Sequence, residues 1–206
     1  MTPAADAVPA SLVEAFARDG HVLVARLVPV DALGSYGSVA PAGSSDEALA
    51  AVAARLLGAT RVSAVERRLE WSRPRTSIGP WQRDADRLGA DTPLVTMWLP
   101  LQDTSVDLGT PQYASGTVTR EDSDRFLAGL ASDPDRSHPI DTRYPVTAVA
   151  PLAAGDASFH GGRTAYRMFG NTTTSERLAA VITWTVACEQ PGPSEPDRPA
   201  RRPAGR

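Results

Sequence analysis

The ten residues from Leu178 to Ala187, Leu-Ala-Ala-Val-Ile-Thr-Trp-Thr-Val-Ala, are almost wholly apolar and rich in β-branched and aromatic side chains. Such a run reads as a strand buried on both faces, at the centre of a sheet. It is much shorter than the ~18 apolar residues of a membrane span. A central strand obliges the chain to supply neighbouring strands and covering layers, and the preceding sequence has candidates for both. Strand-like runs at 61–71, 94–101, 145–150 and 156–160 are separated by Gly, Pro, Asp and Asn clusters. Within 94–101, Val95, Met97, Leu99 and Leu101 alternate along the chain and so share one face.

The covering layer is predicted near the N-terminus. Ser11-Leu-Val-Glu14 is a capping-box pattern, and with Leu12, Val13, Phe16 and Ala17 it predicts an amphipathic helix over 11–19 that Gly20 stops. His21-Val-Leu-Val24 follows as a buried strand. Ser44 and Glu47 open a second helix, rich in Ala and Leu, that ends at Gly58. A third helix is expected over 119–130, capped by Thr119, with acids at 121, 122 and 124 and a stripe of Phe126, Leu127 and Leu130. From residue 189 onward apolar content vanishes, so 1–188 is expected to be one domain and 189–206 a disordered Pro/Arg-rich tail. The resulting expectation is a mainly β (α+β) chain: two helices, then an all-β barrel or sandwich.

Charge and composition narrow the partners. A net charge of -3 argues against a nucleic-acid ligand. One cysteine, Cys188, allows no internal disulfide, and the N-terminus lacks the basic and apolar regions of a secretion signal, so a cytoplasmic protein is expected. No membrane partner is expected, and the chain should be a monomer or homodimer. All 21 basic residues are arginine, which with the abundant Ala and Pro suggests a GC-rich genome.

Three segments are more polar than a plain β-barrel requires: Gly79 to Asp84, Trp98 to Asp103 with Gly109 to Gly116 behind it, and Ala154 to Tyr166 continuing through Asn171 to Arg177. Together with FARDGHVLVARLV near the N-terminus, the phrases TMWLPLQDTSVDLGTPQYASGT and LAAGDASFHGGRTAYRMFGNTTTSERLAAVITW resemble the phytanoyl-CoA dioxygenase family of iron and 2-oxoglutarate oxygenases. The resemblance spans about residues 12–187 and implies a double-stranded β-helix, or jelly roll.

In that family a His-x-Asp pair and a distant His hold Fe(II). The resemblance places Gln82, Asp84 and Tyr166 at those positions, so only the carboxylate is retained. An amide carbonyl is a weak iron donor, and a phenol must first lose a proton of pKa near 10. The expectation is therefore no cofactor, with Fe(II) and 2-oxoglutarate on unusual ligands such as His160 with Asp84 as the alternative. Arg177, six residues after Asn171, stands where the resemblance implies an anchor for the 2-oxoglutarate carboxylate; a surface or sheet-edge arginine is the plainer reading.

Asp84, Tyr166 and His160 are the candidate catalytic residues, and Gln82, Arg177, Trp98, Trp81 and Asn171 the candidate substrate-binding ones. Asp84 is either a desolvated general base of raised pKa or a carboxylate paired with Arg83, Arg73 or Arg75. Tyr166 is a proton donor or a filler of the metal space, and His160 a packing residue, a ligand or an acid–base group. Trp71, Trp81, Trp98 and Trp184 are expected in the core or pocket wall, and Met97 and Met168 in packing. His21 is expected to be structural and His138 exposed. The expected function is a metal-independent cyclase or isomerase of bacterial specialised metabolism acting on a small polyketide-like substrate. The alternatives are a 2-oxoglutarate-dependent oxygenase and a non-catalytic binding or accessory protein.

Overall fold

The computed structural model describes residues 8–37, 44–89, 93–117, 127 and 140–187. Helix α1 (Ala10–Asp19) leads into strand β1 (His21–Val24), and a 3-10 helix and α2 (Ser44–Leu57) precede the long strand β2 (Val62–Ser72). Then come α3 (Asp84–Leu88), β3 (Leu94–Pro100), β4 (Pro111–Tyr113), β5 (Ala157–Gly161), β6 (Tyr166–Met168) and β7 (Arg177–Val186). Five strands form an antiparallel sheet in the order β1-β5-β3-β7-β2, and β4 pairs with β6 in a second, smaller sheet. This is the expected jelly-roll architecture, and the apolar run of β7 lies between β3 and β2.

Alternation in the strands separates two environments. Val95, Met97 and Leu99 of β3, Ala157 and Phe159 of β5, and Ala180, Ile182 and Trp184 of β7 share one core with the helices. Helix α2 meets them through Leu49, Val52, Ala53 and Leu56, a spacing of three and four that aligns one helical face. Each large side chain so buried contributes about 1.5–3 kcal/mol. The opposite sheet face carries the polar residues Thr96, His160 and Thr183 beside a smaller apolar cluster of Trp98, Leu152, Ala179 and Val181.

Some local expectations change. Pro9, not Ser11, caps α1, because the Pro9 carbonyl already accepts from Leu12 and Val13; Gly20 ends the helix at φ 82° as expected. The run 145–150 makes only one bridge, Ala114 to Val146, since Pro145 and Pro151 bracket it and neither can donate to a ladder. Trp71 is 59% exposed on the edge strand β2, outside any core. The helix expected over 119–130 lies outside the described residues except for Leu127, which is buried. His138, Cys188 and the segment 189–206 also lie outside them. No helix among the described residues is long and apolar enough to cross a membrane.

Candidate active site

One polar residue from each strand of the large sheet falls in a single cross-strand row. His21 pairs with His160, His160 with Thr96, Thr96 with Thr183, and Thr183 with Glu66. Successive strand residues alternate faces, so these side chains share the face opposite the helices. Asp84 sits against this row at the first residue of α3 and is fully buried. It arrives from a short helix, not from a strand.

Four side chains converge on the Asp84 carboxylate. The Thr96 hydroxyl donates to Oδ2 at 2.6 Å, and His160 Nε2 lies 3.0 Å from the same oxygen. The Tyr166 hydroxyl donates to Oδ1 at 3.1 Å, as does Arg87 Nη2 at 3.1 Å. Arg87 is held in turn by Glu66, with bonds of 2.7 and 2.6 Å. Thr96 has one proton and gives it to the carboxylate, so the Thr183 hydroxyl 2.9 Å away donates to Thr96.

Burial alone pushes the Asp84 carboxyl up, as the isolated-carboxylate expectation has it. The bonds and charge from His160, followed by Thr96 and Arg87, outweigh burial and hold it well below the usual carboxylate range. Asp84 is therefore ionised and accepts only. Its partner among the arginines is Arg87; Arg83 pairs with Asp86 instead. An ionised Asp84 accepts from His160 Nε2, and Nδ1 of the same ring is buried and makes no hydrogen bond among the described residues. Burial and the nearby Asp84 charge push the Tyr166 hydroxyl up, so it remains a phenol. Tyr113 extends the cluster: its ring stacks on His21, its centroid lies 5.4 Å from that of His160, and its hydroxyl bonds Ser158 at 2.8 Å.

Asp84, His160 and Tyr166 are thus brought together. Gln82 is joined to Tyr166 through a backbone bridge. Trp98 and Arg177 meet farther along the same face. The Arg177 guanidinium lies 5.2 Å from the Trp98 ring, and both side chains donate to Glu70. Arg177 is 2% exposed, so the surface reading fails. Trp81 belongs to a different cluster, with Ala114, Leu127, Ile140, Tyr144 and Ala165, under the Arg167 guanidinium. Asn171 spends its amide on a loop, donating to Ser175 and Ser72 and accepting from Thr173.

Sequence reasoning missed Thr96, Thr183, Arg87, Glu66 and Glu70. Two signals were available. Thr96 and Thr183 are polar interruptions of apolar strands, and Glu66, Arg68 and Glu70 recur at every second residue of β2.

The sequence pattern of the family described as Phytanoyl-CoA dioxygenase (PhyH) matches residues 10–179. The chain belongs to the phytanoyl-CoA dioxygenase family. It matches no curated protein in sequence. Among solved structures it is similar to the non-heme alpha ketoglutarate dependent carbocyclase SnoK from nogalamycin biosynthesis, with TM-score 0.70, 23% identity and coverage of 89% of this chain and 86% of that one. EvdO2 from Micromonospora carbonacea var. aurantiaca, complexed with 2-oxoglutarate, has TM-score 0.67 and 17% identity, over 92% and 95% of the two chains. The epimerase SnoN in complex with Fe3+, alpha ketoglutarate and nogalamycin RO has TM-score 0.62 and 18% identity, over 86% and 83%. At these identities the likeness establishes the fold.

The expectation of no cofactor does not stand. Structures of this fold hold Fe3+ and 2-oxoglutarate, and those are the cofactors to which membership of this dioxygenase family points. The two seats differ in this member. At the metal positions Asp84 already accepts from four side chains, Tyr166 is held as a phenol, and Gln82 offers an amide. The described residues contain no cluster of three or more His, Cys, Asp or Glu able to hold a metal. As arranged, this donor set does not fit iron. At the 2-oxoglutarate position the guanidinium of Arg177 is present and does suit a carboxylate.

Proposed function

We propose that this phytanoyl-CoA dioxygenase family member is a tailoring enzyme of natural-product biosynthesis that closes or epimerises a ring of a small, polyketide-like molecule. Asp84, His160 and Tyr166 form the reacting centre. The relatives in fold support this reading, since one is described as a carbocyclase and another as an epimerase. The observation that carries it is the convergence of His160, Tyr166, Thr96 and Arg87 on one buried, ionised carboxylate.

In this role Asp84 fixes the imidazole and the phenol against each other, their ring centroids 4.3 Å apart. His160 Nδ1 is the atom that takes a proton, and Tyr166 holds a hydroxyl that can give one. Charge developing on the imidazole is stabilised by Asp84 without further movement. Gln82 and Trp98 orient the substrate beside this centre.

The test is turnover of a panel of polyketide aglycones and glycosides with Fe(II) and 2-oxoglutarate supplied, read by mass spectrometry. The expected product is an isomer of unchanged mass, epimerised or ring-closed, because proton transfer between His160 and Tyr166 makes no net oxidation. Tyr166→Phe should lower kcat by about 10²–10⁴-fold, the usual contribution of an acid or base, and Asp84→Asn should lower it as well by releasing the imidazole and the phenol from their positions. Turnover at the parent rate in both variants refutes the assignment. Burial favours a second reading: Asp84 is 0%, His160 2% and Tyr166 4% exposed, as in a barrel that binds without reacting. A compound bound tightly but recovered unchanged in the same assay establishes that reading instead.

A further inference from the structure

Glu70 and Arg177 make an unequal pair. Arg177 is fixed: it is buried in β7, donates to the Gly109 carbonyl through Nη1, and stands against the Trp98 ring. Glu70 lies on the edge strand β2 with 21% of its side chain exposed, so the carboxylate is the partner with room to move. It receives Arg177 Nη2 and Trp98 Nε1 on one oxygen. Two guanidinium nitrogens beside it, Arg177 Nε and Arg68 Nη1, are buried and make no hydrogen bond among the described residues. Arg68 comes no nearer than 3.9 Å to Glu70 or to Glu66, too far for a hydrogen bond. A single carboxylate from β2 thus faces two arginines and leaves donor capacity on both. A buried donor without a partner is costly, and a better-matched anion recovers that cost.

We propose that Glu70 is a built-in competitor for the anion seat of Arg177, so that a dicarboxylate cosubstrate binds only as the Glu70 side chain swings out. The incoming carboxylate pairs with Arg177 through Nη2 and Nε in the bidentate manner that Glu70, bonded through one oxygen, does not achieve. Arg68, midway along β2 between Glu66 and Glu70, is placed to meet the second carboxylate. The ligand class is a short dicarboxylate, 2-oxoglutarate being the one to which the fold points. The inference rests on the proposed function only in taking 2-oxoglutarate as that ligand. When the competing state dominates, apparent affinity falls by the fraction of molecules with the seat open.

The experiment is calorimetric titration of the full chain with 2-oxoglutarate, and separately with succinate, in the parent, Glu70→Gln and Glu70→Ala. Trp98 fluorescence is recorded alongside as the local readout. Removing the charge should tighten dicarboxylate binding by tenfold or more in both variants, with a change in Trp98 emission, and Arg68→Gln in the Glu70→Gln background should reverse much of the gain. Affinity in both Glu70 variants equal to or weaker than that of the parent overturns the proposal. Circular dichroism establishes that the variants are folded. The readout needs no turnover, so tight binding in an inactive protein supports the competitor and refutes the enzyme, while turnover with Glu70-independent binding does the opposite.

Discussion

Asp84→Asn gives the most demanding test of the buried network, because the change is isosteric and its cost can be worked donor by donor. An asparagine side chain has one accepting oxygen where the carboxylate has two, and its amide nitrogen turns protons toward groups that are themselves donors. Arg87 loses little, since Glu66 still takes two of its bonds and the guanidinium is 37% exposed. Thr96 can reverse its proton toward Thr183. That leaves the Tyr166 hydroxyl and His160 Nε2, both buried, competing for one oxygen. With one or both left unmet at about 1–3 kcal/mol each, the variant should lose about 1–6 kcal/mol. Tyr166→Phe removes only one donor and leaves Arg87 on the same oxygen, so it should cost about 1 kcal/mol. In the double variant the competition for the asparagine oxygen is relieved, so the combined loss should fall short of the sum by about 1 kcal/mol. Urea unfolding followed by far-ultraviolet circular dichroism measures all three, provided the denaturant slope is unchanged. A loss under about 1 kcal/mol for Asp84→Asn, or strict additivity with Tyr166→Phe, refutes the network as drawn.

Three further outcomes are expected. Gly155→Ala places a Cβ 2.1 Å from the Val28 carbonyl oxygen at φ +90°, so thermal unfolding should show a loss of at least about 2 kcal/mol and displacement of the turn feeding β5. Burial lowers the His21 pKa, so the unfolded chain takes up a proton first as pH falls; stability should drop below about pH 6.5, and His21→Gln should flatten that drop in unfolding curves taken from pH 7 to 5. Gln82→His with Tyr166→His supplies two imidazoles beside Asp84 at positions already bridged to each other, so Fe(II) affinity by anaerobic titration should rise at least about tenfold over the parent; no rise means that one or both positions are misplaced.

What could be read from the sequence follows how far apart the interacting groups lie along it. Strand β7 declares itself through ten consecutive residues, and α2 through a repeated spacing that ends at Gly58. Strands β4 and β6 have three residues each, too few for a period of two to register, and the small sheet they form went unseen. The family phrases identified Asp84, His160 and Tyr166 as belonging together. They could not supply Thr96, Thr183 or Arg87, since family resemblance ranks positions and these owe their role to strand register and to a short helix. Trp81 and Asn171 show the opposite error: they lie within the right phrases but face another cluster and a loop.

The ionisation of Asp84 shows why chemistry is harder to read than fold. From sequence, a carboxylate in a barrel interior invites the inference that desolvation raises its pKa, and desolvation is indeed the largest single influence on it. The sign nevertheless reverses, because donors separated from it by 76, 12 and 3 residues, His160, Thr96 and Arg87, arrive at the same two oxygens. No single influence exceeds that of burial, and together they outweigh it. Arg177 follows the same rule. Its place in a family phrase implied a seat open to a carboxylate, whereas β2 delivers Glu70 to it from 107 residues away. In both cases the residue type was legible, and its state depends on the partners that the sheet register brings. A test of function in this chain therefore has to perturb the partners, Thr96 and Glu70, as well as the residues that the family phrases single out.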